Sequence, residues 1–330
     1  MVRIIYHASH EQFAPSHLLQ LARAAAAAGF DAIHSSDHFH PWSRRQGHSG
    51  FSFAWLGAAM QAVELPFSVV CAPGQRYHPA ILAQAIATLA EMFPNRLSVE
   101  LGSGEALNEK ITGLPWPPKE QRNERLLECA TIIRRLLAGE EVSHQGYVTV
   151  NEAKLYSRPQ TAPLLFCAAI SSETACWCGS WADGLLTTAN SSEEAFEKQT
   201  AFAKGGGAGK PWLIQFSFSY HPLAQVAADE AYDQWRTNIL GTDERADLCK
   251  PEHFEKAAAG ITKEQVIEKI PVFTSMKDLF ERIETLQATG ATGIILHNVN
   301  RQHELFIKDF GQFNSDRMIK SGLESNHTTT

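Results

Sequence analysis

No apolar run in this chain is long enough to span a bilayer, and the opening stretch MVRIIYHASHEQF breaks at His7 before it could form the apolar core of a secretory signal. Those two absences set the expectation of a cytoplasmic protein without a membrane partner. There is no excess of positive charge either. Lys and Arg number 29 against 36 Asp and Glu, for a formal net charge of -7, and the basic residues are scattered, which excludes an electrostatic footprint for nucleic acid. The six cysteines include no C-x-x-C pair and sit mostly inside apolar segments, so no disulfide framework is indicated and they read as buried free thiols. KGGGAGK at 204–210 lacks the GK[ST] ending of a phosphate-binding loop and reads as a flexible turn.

What the chain does contain is rhythm. RIIYHAS is followed by a helix over about 15–28 that Gly29 can end, then DAIHSSD, a helix near 51–62, FSVVCA, a helix from Pro79, and RLSVEL. A helix near 120–138 places Leu126, Ala130, Ile133 and Leu137 on one face, as a helix lying on the outside of a sheet requires. EVSHQGYVTVNEAKLYS at 141–157 alternates polar and apolar residues and predicts a β-hairpin excursion. PLLFCAAI, ADGLLTTA, PWLIQFSFSY and TGIILHNV bring the count of barrel strands to eight, and a final helix carries Leu305, Phe306 and Phe310. The fold class expected is α/β, a (β/α)8 TIM barrel spanning 1–330 as a single domain, with a polar, helix-favouring insertion or lid at about 222–272.

In such a barrel the chemistry belongs to the loops after the strands. The residues placed there are His7, Glu11, Asp37, His38, Trp42, Pro73, the stretch 102–108, Ser171, Thr188, His221 and His297. HSSDHFHPW at 34–42 is the densest of these stretches. A metal centre needs three or four converging ligands, and the first strand offers His7 and His10 at the wrong spacing for the H-x-H pair of barrel hydrolases. His34, His40 and His48 read as ordinary polar or core residues. His38 has different company: a preceding Asp37 to hold it and Trp42 beside it are the setting of a general base facing a flat aromatic cofactor. ELGSGEALNE at 100–109 adds a Gly-x-Gly turn and Glu105 at a helix start, where free amides suit an anion or a polar ring edge. SVVCAPGQRYHPA at 68–80 is a buried strand followed by a βα loop.

Taken together, ASHEQFAP, SDHFHPW, RYHPAILAQAIATLAEMFPNR, GSGEALNE, ADGLLTT and EKAA, in that order, resemble the luciferase-like superfamily of flavin and deazaflavin oxidoreductases. The resemblance runs through nearly the whole chain and is strongest to the branch of deazaflavin (coenzyme F420) dependent glucose-6-phosphate dehydrogenases. It implies His38 as catalytic base, Trp42 as the tryptophan stacked on the ring and Glu105 as proton donor. It further implies cofactor contacts at Asp37, Val69, Val70, Ala72, Ser103, Gly104, Asn108, Ile170 and Ser171, with a non-prolyl cis peptide at Val69-Val70. Substrate contacts fall at Glu11, Thr188 and Lys269, and a homodimer is expected. Two departures stand out. The Gly-Gly-Pro turn of the family is Ile170-Ser171-Ser172 here, and its phosphate-clamping lysine falls at Ser191. The resemblance therefore leaves the cofactor open between F420 and FMN, and the reaction open between hydride transfer to or from a small organic substrate and an FMN-dependent monooxygenation. From the residues alone, the reading of a different class is a metal-dependent barrel hydrolase using His7, His10, His38 and His297.

Overall fold

The computed structural model describes residues 2–320. The strands in chain order are β1 (Arg3–Ala8), β2 (Ala32–Ser35), β3 (Phe67–Cys71), β4 (Leu97–Leu101), β5 (Val142–Gln145), β6 (Thr149–Ala153), β7 (Leu165–Ala168), β8 (Leu185–Thr188), β9 (Trp212–Tyr220), β10 (Val272–Phe273) and β11 (Gly293–Asn298). Eight of them, all but β5, β6 and β10, pair in parallel around a closed ring: β1 to β2, β3, β4, β7, β8, β9, β11 and back to β1. This is the (β/α)8 barrel that the alternation of apolar runs predicts. β5 and β6 form the expected antiparallel hairpin, and β10 extends the sheet beside β9 through Val272 opposite Ser219.

Strand alternation sorts the side chains into two cores. The outward set, including Tyr6, Ile33, Val69, Val99, Ile214 and Leu296, packs under the helices. The inward set closes the base of the barrel with an apolar plug of Ile5, Ala32, Phe166, Leu186, Leu213 and Ile295. Two residues further along the same strands, and hence on the same inward face, stand His7, His34, Ala168, Thr188, Gln215 and His297. The change from apolar to polar along five of these six strands, and from Phe166 to the small Ala168 on the other, marks where the plug ends and the cavity begins.

The helix Pro15–Ala27 starts with Pro at its first position, where the missing N–H costs nothing, and ends before Gly29, whose φ of +86° supplies the left-handed residue of the stop. The segment 222–272 folds into short helices, Ala224–Trp235, Thr242–Asp247, Pro251–Ala257 and Lys263–Lys269. It lies over the barrel mouth. Phe254, Trp235, Leu240 and Leu248 pack with Trp42 and Leu107, and ion pairs from Arg44 to Glu255 and from Arg45 to Asp233 tie its rim to the loop after β2. Among the described residues no helix is long and apolar enough to cross a membrane.

Candidate active site

A cavity of about 550 Å³ opens at the C-terminal ends of the barrel strands, a size that suits a small organic molecule or cofactor ring. Of the residues to which the resemblance assigns a role, all but Val69 and Ser171 line it, whereas Pro73 and His221, placed after strands by the sequence, do not. Val69 points outward and is fully buried in the helix-covered core. The Val69-Val70 peptide is trans, since the described chain contains no cis peptide; both residues sit in a regular ladder, Val69 opposite Val99 and Val70 opposite Glu100. Ser171 is spent on local structure. Its hydroxyl accepts a hydrogen bond from the Thr174 amide and caps the helix Ser172–Cys178.

His38 is held differently from the sequence expectation. Asp37 is occupied elsewhere, paired with Arg76 at 2.6 Å and accepting a 3.0 Å hydrogen bond from the Tyr77 hydroxyl. Asn108 and Glu11 take its place. Asn108 Oδ1 accepts from the Phe39 amide at 2.9 Å, which pins the side-chain amide and turns its nitrogen toward His38 Nδ1 at 3.1 Å. Nδ1 is therefore an acceptor, and in the neutral ring the proton sits on Nε2, 3.3 Å from Glu11 Oε1. Glu11 is itself oriented by the hydroxyls of Ser9 and Ser36, which donate to its other oxygen at 2.9 and 2.8 Å. The Trp42 ring lies 5.0 Å from the His38 ring, centroid to centroid, and is backed edge-on by Phe254 at 5.3 Å.

Glu105 begins the short helix Ala106–Glu109 without capping it, so its carboxyl stays available to the cavity. Burial raises that carboxyl above the usual carboxylate range, against the opposing pull of His38 and Arg245. The wall nearby is made of small residues. A Cβ on Gly104, whose φ is +83°, would meet Glu109 Cγ at 3.0 Å and Ala72 Cβ at 3.3 Å. With Val70, Ala72, Gly102 and Ala168 lining one part of the cavity and Trp42 another, the residues present fit a flat aromatic ring system such as a flavin or deazaflavin.

Lys198 and Arg76 are cavity residues that sequence reasoning did not single out. Lys198 follows Ala195 and precedes Phe202 on the buried stripe of the helix Ser192–Phe202, and a lysine on such a stripe was the available signal. Its ammonium is bound to Glu194 at 2.6 Å and to the Thr188 carbonyl at 2.6 Å. Arg76 bridges Asp37 and Glu109. Ser191, which stands where the resemblance places a phosphate-clamping lysine, caps that same helix by accepting from the Glu194 amide. Of the histidines proposed for a metal hydrolase, His7, His38 and His297 line the cavity, whereas His10 packs edge-on against Trp55 away from it. Among the described residues no three of His, Cys, Asp and Glu are grouped to hold a metal ion.

The profile of the luciferase-like monooxygenase family matches residues 3–293. The F420-dependent glucose-6-phosphate dehydrogenase of Beutenbergia cavernae is 32% identical over 323 residues, covering 94% of this chain and 96% of the relative. The enzyme of the same name from Mycobacterium tuberculosis strain H37Rv is 31% identical over 334 residues, covering 97% and 99%. Among solved structures, an F420-dependent secondary alcohol dehydrogenase in complex with an F420-acetone adduct superposes with a TM-score of 0.88 at 27% identity, over 94% of this chain and 97% of that one. The F420-dependent tetrahydromethanopterin reductase of Methanopyrus kandleri, with a TM-score of 0.73 at 19% identity over 94% and 97%, shares the fold. With the barrel closed in the expected order and its mouth built from the motifs that first suggested the kinship, this chain belongs to the luciferase-like monooxygenase family.

Proposed function

We propose that the protein is an F420- or FMN-dependent oxidoreductase that moves a hydride between the cofactor ring and a small uncharged alcohol. The observation that carries this reading is the Glu11, His38 and Asn108 arrangement beside Trp42. A bound flavin or deazaflavin ring would supply the hydride acceptor, with Trp42, Val70, Ala72, Ser103 and Gly104 as the residues to hold it. Asn108 keeps the His38 proton on Nε2, so His38 donates a hydrogen bond to the substrate oxygen and Glu11 is the carboxylate placed to receive the hydroxyl proton. The base assigned to His38 from sequence is thus the Glu11–His38 pair acting as a unit. Glu105, whose carboxyl burial raises above the ordinary value, is the residue that would exchange a proton with the reduced ring.

Titration of the purified protein with F420 and separately with FMN, followed by fluorescence, tests the cofactor half of this reading. At least one of them binds with a dissociation constant in the micromolar range or below. Failure of both removes the oxidoreductase reading.

The charge lining the cavity bears on the substrate. Five carboxylates (Glu11, Asp37, Glu105, Glu109 and Glu194) face four cations (Arg76, Lys198, Arg245 and Lys269). Lys198 is neutralised by Glu194 and Arg76 by Asp37, which leaves Lys269 and Arg245 without ion-pair partners among the described residues. Those two cations are the charge-assisted contacts open to a phosphosugar dianion; the further lysine that the resemblance places at 191 is here a serine spent on a helix cap, which makes the cradle one cation short. The alcohol dehydrogenase similarity points the same way. In steady-state assays a secondary alcohol saturates the enzyme and glucose 6-phosphate does not; a micromolar Michaelis constant for the phosphosugar would overturn the substrate assignment.

A further inference from the structure

At the floor of the cavity and beneath it, four polar side chains on the inward face of the barrel have no role in the scheme above: His7 on β1 and His297 on β11, which line it, and His34 on β2 and Glu100 on β4, which do not. The Nδ1 atoms of His7 and His34 stand 2.8 Å apart. Two bare nitrogens at that distance repel and two protonated ones clash, so one carries the proton and the other accepts it. On its far side, His34 Nε2 is buried with no hydrogen-bond partner and lies 3.8 Å from Glu100 Oε2. Both Glu100 oxygens are likewise buried and make no hydrogen bond of good geometry, though the Ser68 hydroxyl and the residue's own amide are near enough to favour the carboxylate. Unpartnered polar atoms are rare in protein interiors because each forfeits its hydration, and here three of them converge. His7 lines the cavity, and with its Nδ1 taken by His34 the nitrogen left for a bound molecule is Nε2.

We propose that Glu100, His34 and His7 form a proton relay that opens at the cavity floor and exchanges one proton with the molecule bound there. In the outward direction the Glu100 carboxylic proton passes to His34 Nε2, the His34 Nδ1 proton to His7 Nδ1, and the His7 Nε2 proton to a basic oxygen or nitrogen of the bound molecule. One O–H and two N–H bonds break, and three new bonds to hydrogen form. Glu100 is left as a carboxylate, both rings stay neutral with their tautomers exchanged, and the acceptor has gained one proton. The first hop requires the carboxyl group to swing about 1 Å closer, to ordinary hydrogen-bond length. Because each transfer reverses the tautomers, the relay delivers one proton and must take one back before it delivers another. That suits a two-stage redox cycle in which one half-reaction releases the proton that the other consumes. The oxidoreductase reading enters only in naming the acceptor.

The surroundings keep the relay neutral at rest. Burial pushes the Glu100 carboxyl up to about 8, partly offset by the Ser68 hydroxyl, and holds His34 down to about 3. The other groups that face it are His297, His10 and His303 around His7, and Cys71 and Arg3 around Glu100. Burial sets His10 and His303 near 4, His297 well below 6.5 and Cys71 well above 9. Between roughly pH 6 and 9, then, Glu100 is the member of this set that titrates.

Histidine nitrogen-15 NMR on the cofactor-free full-length protein reads the relay directly. With Glu100 protonated, His34 carries its proton on Nδ1 and His7 on Nε2; with Glu100 ionised both reverse. The expected result is that the two rings exchange tautomers together as pH rises through about 8, and that the exchange is lost in Glu100→Gln, whose amide cannot ionise. Rings that share one tautomer, that switch in separate steps, or that switch equally in the variant overturn the proposal. If Glu100→Gln does not fold, the wild-type pH series alone decides, since a single joint step is required. With cofactor and alcohol present, Glu100→Gln lowers kcat roughly 10²-fold at unchanged KM; an unchanged kcat also overturns the relay. Failure of the wild type to bind either cofactor would sink the proposed function and leave the NMR result standing.

Discussion

His38→Ala leaves the cofactor dissociation constant nearly unchanged and lowers turnover by roughly 10²- to 10⁴-fold, the range set by loss of a general acid or base. The separation of the two effects follows from position. The predicted ring-binding wall, from Val70 to Gly104, is built without His38, whereas the Nε2–H of His38 faces Glu11 at 3.3 Å where the substrate oxygen would lie. Because the two side chains act on one substrate hydroxyl, His38 on its oxygen and Glu11 on its proton, their losses do not add. Glu11→Gln costs a similar factor, and the double variant costs little more than either single one. Fluorescence titration for binding and stopped-flow ring reduction for turnover check both halves. Wild-type turnover in His38→Ala, at normal cofactor affinity, would remove His38 from the chemistry.

The second large effect is on stability and depends on pH. An ordinary glutamate ionises near 4.5, while Glu100 in the folded barrel holds its proton to about 8. Between those values the native state binds more protons than the unfolded state, so stability falls as pH rises from about 4.5 and levels off above about 8. At about 1.4 kcal/mol per pH unit the full loss approaches 5 kcal/mol, an upper figure because the buried site relaxes when it ionises. Glu100→Gln keeps the shape and abolishes the ionisation, so between about pH 6.5 and 8 its denaturation midpoint in urea should stay flat where that of the wild type declines. His34 acts on the acid side with the opposite sign. Its folded value near 3 lies below the ordinary 6.5, so the unfolded state takes up a proton that the native state refuses, and stability falls as pH drops through 6.5. Parallel midpoint curves for wild type and Glu100→Gln from pH 5 to 9 would contradict the assignment.

Much of this architecture was legible in the sequence because barrels advertise themselves locally. Each strand is a short apolar run and each covering helix carries its own stripe, so the eight strands, the hairpin and the helical cover could be placed without long-range information. The cluster at 34–42 and the turn at 102–108 could be marked by the same logic, as polar residues stranded just after apolar runs. What stayed hidden depends on partners remote in sequence. Nothing near Asp37 shows that Arg76 and Tyr77 claim its carboxylate, or that Asn108, seventy residues from His38, fixes its tautomer. Ser171 reads as a cofactor contact and Ser191 as the place of a missing phosphate clamp, yet both are helix caps, a role that only the following helix start discloses. His34 reads as a core histidine from its strand, and so it is. Its alignment with His7 and Glu100 exists only once three separate strands are brought into register.

The ring closes by pairing β1 with β11, Arg3 lying opposite Gly293. During synthesis this has a price in time. At about 5 to 20 residues per second, the ribosome takes roughly 15 to 60 s to reach the last barrel strand after starting the first. Throughout that interval β1 presents an open edge to whatever nascent chain or neighbour is near, and open strand edges are templates for unwanted pairing. Contacts this distant in sequence also form slowly even after release. The apolar plug inside the barrel, drawn from Ile5 at one end of the chain and Ile295 at the other, cannot assemble before that final strand emerges. Any chain that stops short of it leaves the ribosome as an unclosed sheet, a substrate for chaperones and proteases rather than a smaller working barrel.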